Sequence, residues 1–140
     1  MIKLATKPEV HVLESRFLKI PKRVSLSKCK SLLLLAYDNN PEVALSAEYL
    51  RVYSPSAENK RDLNFPNGKR YIQITDIAQC GNYALRISFS DDHTTGIFTW
   101  SLLLELSENR SRHWDKYLSQ LHTSGKSREP HTFTLKIPNN

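Results

Sequence analysis

Residues 71–99 hold the pattern that most restricts what this chain can fold into. Apolar and polar residues alternate over 71–77, with Ile72 and Ile74 on one side and Gln73 and Thr75 on the other. They alternate more cleanly over 84–89, where Leu85, Ile87 and Phe89 share a face and Arg86 and Ser88 point away. A two-residue period marks a half-buried strand, because successive side chains leave a pleated backbone on opposite faces. Gly81-Asn82 lies between the runs. A glycine at the first central position suits a type II′ hairpin turn, which needs a positive φ there. Residues 91–96 make the next turn, and Ile97-Phe98-Thr99 returns as a third strand. The three runs predict an antiparallel meander.

The rest of the chain supplies the layer that such a sheet must pack against. The run Leu32-Leu33-Leu34-Leu35-Ala36-Tyr37 has strand length, and its unbroken apolar character predicts a buried strand over 31–37, covered on both faces. Asp38-Asn39-Asn40-Pro41 reads as a turn and residues 42–45 as a further strand. Ser46 offers an N-cap to a short helical turn with Tyr49 and Leu50 inward, and Pro55 ends it. Short edge strands are predicted over 10–13 and 17–20, and a polar loop over 59–70. Beyond the meander, Thr99 or Ser101 caps a helix carrying Leu102, Leu103 and Leu106. A second helix starts near Ser111, with Trp114, Tyr117, Leu118 and Leu121 as its apolar stripe and Gly125 as its stop. Phe133, Leu135 and Ile137 alternate as a last strand. Strands grouped with helices, rather than strictly alternating with them, predict a two-layer α+β fold: an antiparallel meander packed with one or two short helices, as one domain over 1–140.

Composition narrows the function classes. No segment approaches the ~20 apolar residues needed to span a bilayer. Glu9, Glu14 and Arg16 interrupt the place where a secretory leader needs its apolar stretch. Two distant cysteines, Cys29 and Cys80, make no disulfide framework, so a reduced, cytoplasmic setting is expected. A net charge of +6 favours an acidic partner, although the positive residues are spread along the whole chain. Catalytic patterns are missing: there is no Gly-x-Ser-x-Gly elbow and no glycine-rich phosphate loop. Cys29 lies between Lys28 and Lys30, which could lower its pKa. His113-Trp114-Asp115 matches two members of an iron-binding triad, but it falls inside the second helix with Trp114 on the apolar stripe. Two binding alternatives stand beside an adaptor role. The Asp91-Asp92-His93 turn gathers three metal-ligand types, although neighbours on one turn rarely converge on one ion. Arg110, Arg112, His113, Lys116, Lys126 and Arg128 give the second helix a basic face that could meet phosphates, but no aromatic stacking platform accompanies it.

Two blocks carry a family likeness. One is Glu48-Tyr49-Leu50-Arg51-Val52-Tyr53-Ser54-Pro55-Ser56-Ala57-Glu58. The other runs from Gly81-Asn82-Tyr83-Ala84 through Phe89-Ser90-Asp91-Asp92-His93 to Gly96-Ile97-Phe98-Thr99-Trp100. Together they resemble the γ-butyrobetaine hydroxylase-like N-terminal domain (DUF971), over roughly residues 10–120. The resemblance implies a compact two-layer α+β fold. In carnitine-pathway dioxygenases this domain precedes a catalytic barrel and holds structural zinc through three cysteines and a histidine, and a similar domain is appended to some iron–sulfur carrier ATPases. Here Ser54, Ser56 and Asn59 or a neighbour stand at the cysteine positions and only His93 remains of the ligands. One imidazole cannot hold a tetrahedral zinc. The expectation is therefore a non-enzymatic, zinc-free binding or adaptor domain, linked by resemblance to iron–sulfur or iron-dependent enzyme systems, with another protein as partner and no cofactor. Arg51, Glu58, Asp91 and His93 are its candidate partner surface; Arg51 is expected to pair with Asp91 or Glu58, and Trp100 and Tyr83 to anchor the core.

Overall fold

The computed structural model describes residues 19–38, 40–55, 66–91 and 95–130. The expected strands over 10–13 and the tail strand of Phe133, Leu135 and Ile137 lie outside these residues, as does most of the 59–70 loop. Lys19 and Ile20, the end of the other expected edge strand, are not in a strand.

Two three-stranded antiparallel sheets and three helices make an α+β fold. The first sheet has the order β1 (Arg23–Leu26), β2 (Leu32–Ala36), β3 (Val43–Ser46), and α1 (Ala47–Val52) follows it directly. The second sheet is the expected meander, β4 (Ile74–Cys80), β5 (Ala84–Phe89) and β6 (Gly96–Thr99). It leads into α2 (Trp100–Glu108) and α3 (Arg110–Ser124).

β2 is central, so its backbone is paired on both sides: Leu35 faces Val24 on one strand and Val43 on the other. Its side chains are not equally covered, however. Leu33 and Leu35 are fully buried while Leu32, Leu34 and Ala36 remain part-exposed. The unbroken apolar run therefore overstated the burial. One face meets the main core, and the other is covered incompletely.

The meander's first strand is displaced from the expected 71–77 to Ile74–Cys80. The turn explains why. Tyr83 N–H donates to the Cys80 carbonyl across Gly81-Asn82, so pairing must reach Cys80, opposite Ala84. Gly81 has φ +52°, the positive value expected of it, but the pairing of Cys80 with Ala84 leaves three residues, Gly81 to Tyr83, in the loop rather than two. Ile72 and Ile74 are both buried as the alternation demanded. A bulge between Ile74 and Asp76 absorbs the change of register.

The two sheets are joined through the β1–β2 connection. The Lys30 carbonyl accepts from Ile74 N–H at 2.8 Å and the Cys29 carbonyl from Gln73 Nε2 at 2.8 Å, while the Ser31 carbonyl accepts from Ala47 N–H at 2.8 Å and ties the same connection to α1. One core then spans both sheets, with Leu33, Leu35 and Leu45 from the first, Ile87, Phe89 and Phe98 from the second, and Leu50, Leu103 and Leu106 from the helices.

The helix boundaries follow capping chemistry. The Ser46 hydroxyl accepts from Tyr49 N–H at 3.0 Å, and Thr99 rather than Ser101 caps α2 by accepting from Leu102 N–H at 3.1 Å. Gly125 ends α3 in the left-handed region. Tyr117 and Leu121 bury against Val52 in a satellite cluster, but Leu118 is exposed because α3 sits at the margin and buries only a narrow stripe. Trp100 anchors the core as expected, its indole N–H donating to the Asn82 carbonyl at 3.0 Å. Tyr83 does not. It is 62% exposed, because the hairpin turn that contains it projects beyond the packed face.

Tyr37 is a local irregularity. It is buried, yet its hydroxyl has no hydrogen-bond partner among the described residues. Burial, with the Glu108 charge as a lesser cause, pushes its pKa up to about 12. Removing an unsatisfied buried hydroxyl recovers its desolvation cost. Tyr37→Phe is expected to leave stability unchanged or raise it by up to ~1 kcal/mol in urea titration.

Candidate functional site: a charged layer around the first helix

α1 has six residues, and all of them are buried, including Glu48 and Arg51. These two are three apart and so project from neighbouring parts of one helix face. A buried charge is tolerated only when paired and hydrogen-bonded, and here each is answered by a different segment.

Arg51 meets the meander. Its Nε donates to Asp91 Oδ2 at 2.9 Å, and Lys69 Nζ reaches the same oxygen at 2.6 Å. The three side chains are 9%, 18% and 22% exposed. Burial tends to raise the Asp91 pKa, but the Lys69 hydrogen bond and the Arg51 charge outweigh it and hold the carboxyl below its ordinary value. The Arg51–Asp91 pair is the one the sequence suggested, whereas Lys69 sits in a stretch read only as loop. Arg51 itself is too buried to present a contact surface. Asp91 and Lys69 form the accessible rim. Glu58, Asp92 and His93 lie outside the described residues.

Glu48 meets the far side of the molecule. Its two oxygens accept from Arg128 Nε at 2.8 Å and Nη2 at 2.7 Å, and Oε2 also accepts from the Tyr117 hydroxyl at 2.6 Å. Desolvation and the Glu48 carboxylate push the Tyr117 pKa far up. Nothing in the pattern singled out this network. The available signal was a glutamate and an arginine in a six-residue helix flanked by Ala47, Tyr49, Leu50 and Val52, too short a helix to keep a wholly solvated face.

Ser54 is 4% exposed and packs against Gly96, where β6 begins. A Cβ placed on Gly96 would overlap its Oγ, so the glycine permits this close approach. Ser56 and Asn59 lie outside the described residues. A tetrahedral thiolate zinc site needs soft anionic donors. Of the positions in question only Ser54 is described, and it offers a hydroxyl rather than a thiolate. Among the described residues, no three His, Cys, Asp or Glu side chains are grouped to hold a metal.

The remaining candidates are scattered. Cys29 is exposed, and its pKa falls to about 7 through hydrogen bonds from Ser31, then Ser27, rather than through the flanking lysines. His113-Trp114-Asp115 lies within α3, and His113 Nε2 contacts Glu105 Oε2 at 2.8 Å. The basic face is partly turned inward. Arg128 pairs with Glu48, and Arg110 Nη1 donates to the Ala44 carbonyl at 2.6 Å, capping the open edge of β3. Between β3 and α3 lies a groove of about 410 Å³, lined by Leu32, Ala44, Tyr49, Trp114, Arg110 and Asp115 among others. No helix among the described residues is long and apolar enough to cross a membrane.

Solved structures with this architecture exist. One solution structure is 36% identical with a TM-score of 0.71, covering 86% of this chain and 98% of its own. A second is 31% identical with a TM-score of 0.66, covering 87% and 92%. A crystal structure of a protein of unknown function from the DUF971 family, from Acidithiobacillus ferrooxidans ATCC 23270, is 26% identical with a TM-score of 0.54, covering 65% and 96%. No curated protein matches the chain. The family model for the gamma-butyrobetaine hydroxylase-like N-terminal domain matches residues 24–104, a span holding both motif blocks, Arg51, Lys69, Asp91 and Gly96, and the chain belongs to that family.

Proposed function

We propose that this domain is a non-catalytic binding module that docks on another protein through the groove between β3 and α3. The groove carries the reading. Its volume is that of a cleft able to take side chains, its floor includes Tyr49 and the half-buried Trp114, and Arg110 and Asp115 stand at its rim. The net charge of +6 and the exposed Arg110, Arg112 and Lys116 along α3 favour a partner segment with an apolar anchor and acidic flanks. The tie to iron–sulfur or iron-dependent enzyme systems rests on family resemblance alone.

A photoreactive residue at Ser111, in the groove wall, tests the assignment in cells. The expected result is one reproducible protein adduct, competed by the untagged chain. Ser111→Trp, which fills the groove from an exposed position, should weaken binding of that protein by about tenfold or more without changing the melting temperature. Undiminished binding by this variant would remove the groove from the reading.

The same reading has the domain working without resident zinc, because Ser54 offers a hydroxyl where a thiolate is needed. Elemental analysis of untagged protein is expected to return no stoichiometric metal. A stoichiometric metal lost on His93→Ala would instead establish the 91–93 turn as a metal site.

A further inference from the structure

Arg128 is seated in a cradle that the rest of the molecule builds without it. Glu48 comes from α1, and Tyr117 and Trp114 come from α3. The Glu48 carboxylate, 4% exposed, accepts two charge-assisted hydrogen bonds from the guanidinium, of 2.8 and 2.7 Å, one on each oxygen. Tyr117 fixes the carboxylate through its own 2.6 Å bond, and the Trp114 ring lies 5.1 Å from Arg128 Cζ. Forked anion, orienting hydroxyl and aromatic wall together match a planar guanidinium and not a compact ammonium.

The segment that carries Arg128 is lightly held. None of residues 126–130 is buried. Among the described residues its backbone is tied by Lys126 N–H to the Leu121 carbonyl at 2.9 Å where α3 ends, by Gly68 N–H to the Ser127 carbonyl at 2.9 Å and by Arg70 N–H to the Arg128 carbonyl at 3.0 Å, and the Arg70–Glu129 ion pair beside them is solvent-exposed. A segment with no buried apolar side chain and few hydrogen bonds opens at a free energy far below global unfolding. The Arg128 side chain is 31% exposed, so the cradle is reached from solvent rather than through the core.

We propose that the Glu48–Tyr117–Trp114 cradle is a guanidinium-recognition site which the chain's own Arg128 occupies, and that an arginine side chain of a partner peptide can take its place by displacing segment 126–130. Trp114 borders both this cradle and the β3–α3 groove, but the inference does not require the groove to be filled.

Arg128→Ala opens the cradle for a direct test with ethylguanidinium against ethylammonium, both at millimolar concentration. Ethylguanidinium at about ten times its dissociation constant should raise the melting temperature of this variant by roughly 5 °C. Ethylammonium should have little effect on it, and neither salt should stabilise the wild type. Equal responses to the two cations, or no response in a folded Arg128→Ala protein, would overturn guanidinium recognition. If that variant does not fold, hydrogen exchange on the intact wild-type chain decides. An arginine-bearing peptide should speed exchange of the Gly68 and Arg70 amides several-fold, and its lysine counterpart should not. Unchanged exchange at saturating peptide would overturn displacement.

Discussion

Replacing Asp91 with alanine is expected to destabilise the domain by about 3–5 kcal/mol, the cost typical of removing one partner from a buried ion pair. The size follows from burial. Arg51, 8% exposed on a fully buried helix, cannot turn its guanidinium to water without pulling α1 from the core, so its charge loses the carboxylate oxygen 2.9 Å away. Lys69 loses the same oxygen, but with more access to solvent it costs less. Asp91→Asn keeps the shape and an acceptor, and should fall between wild type and alanine. The pH dependence has a definite sign. The Asp91 pKa in the folded protein lies below the ordinary 3.8, so the folded state holds this proton less readily than the unfolded chain does. Its stabilisation is present above that ordinary value and is lost as pH falls through the folded pKa. Urea midpoints of wild type and Asp91→Ala should therefore stay well separated at neutral pH and draw closer as pH falls below about 4. A gap that does not narrow below that pH would show that the carboxylate's charge is not what holds Arg51.

The sequence and structure agree where the physics is local. The meander was legible because alternation, Gly81 and the return at Ile97 are each decided within a few residues, and Ser46, Thr99 and Gly125 marked helix ends through chemistry each carries itself. What failed depended on distant parts of the chain. Tyr83 looked like a core anchor by size, and only the geometry of the turn turns it outward. Leu118 fits the helical period, but how wide a stripe α3 buries depends on what lies beneath it. Half of the candidate site was readable for the same reason. Arg51 and Asp91 belong to motif blocks and pair as opposite charges. Lys69 is 22 residues from its partner, and Glu48 and Arg128 are 80 apart, with no periodicity to connect them. Long-range polar pairing is specified by the finished packing.

Gly96→Ala provides the sharpest test of how tightly that packing is drawn around Ser54. Gly96 has no positive φ, so alanine suits its backbone; the difficulty is space. The new Cβ would overlap Ser54 Oγ, lie 3.0 Å from Phe98 Cε1 and 3.5 Å from Ser54 Cβ. Both neighbours are buried and Phe98 is in the main core, so neither can retreat freely. Overpacking of this kind is expected to cost about 3 kcal/mol. The two contacts are separable, since Ser54→Ala removes the overlapping oxygen and leaves the phenyl contact. Ser54→Ala alone should cost about 1 kcal/mol as a lost buried hydrogen-bonding group. The double variant should be more stable than Gly96→Ala alone, with a coupling of about 1–2 kcal/mol in its favour. If Gly96→Ala is instead tolerated with Ser54 intact, the Ser54 hydroxyl moves aside at little cost. A site that yields so easily has room for something larger than a serine, and a ligand bound between α1 and β6 would then deserve the search now directed at a protein partner.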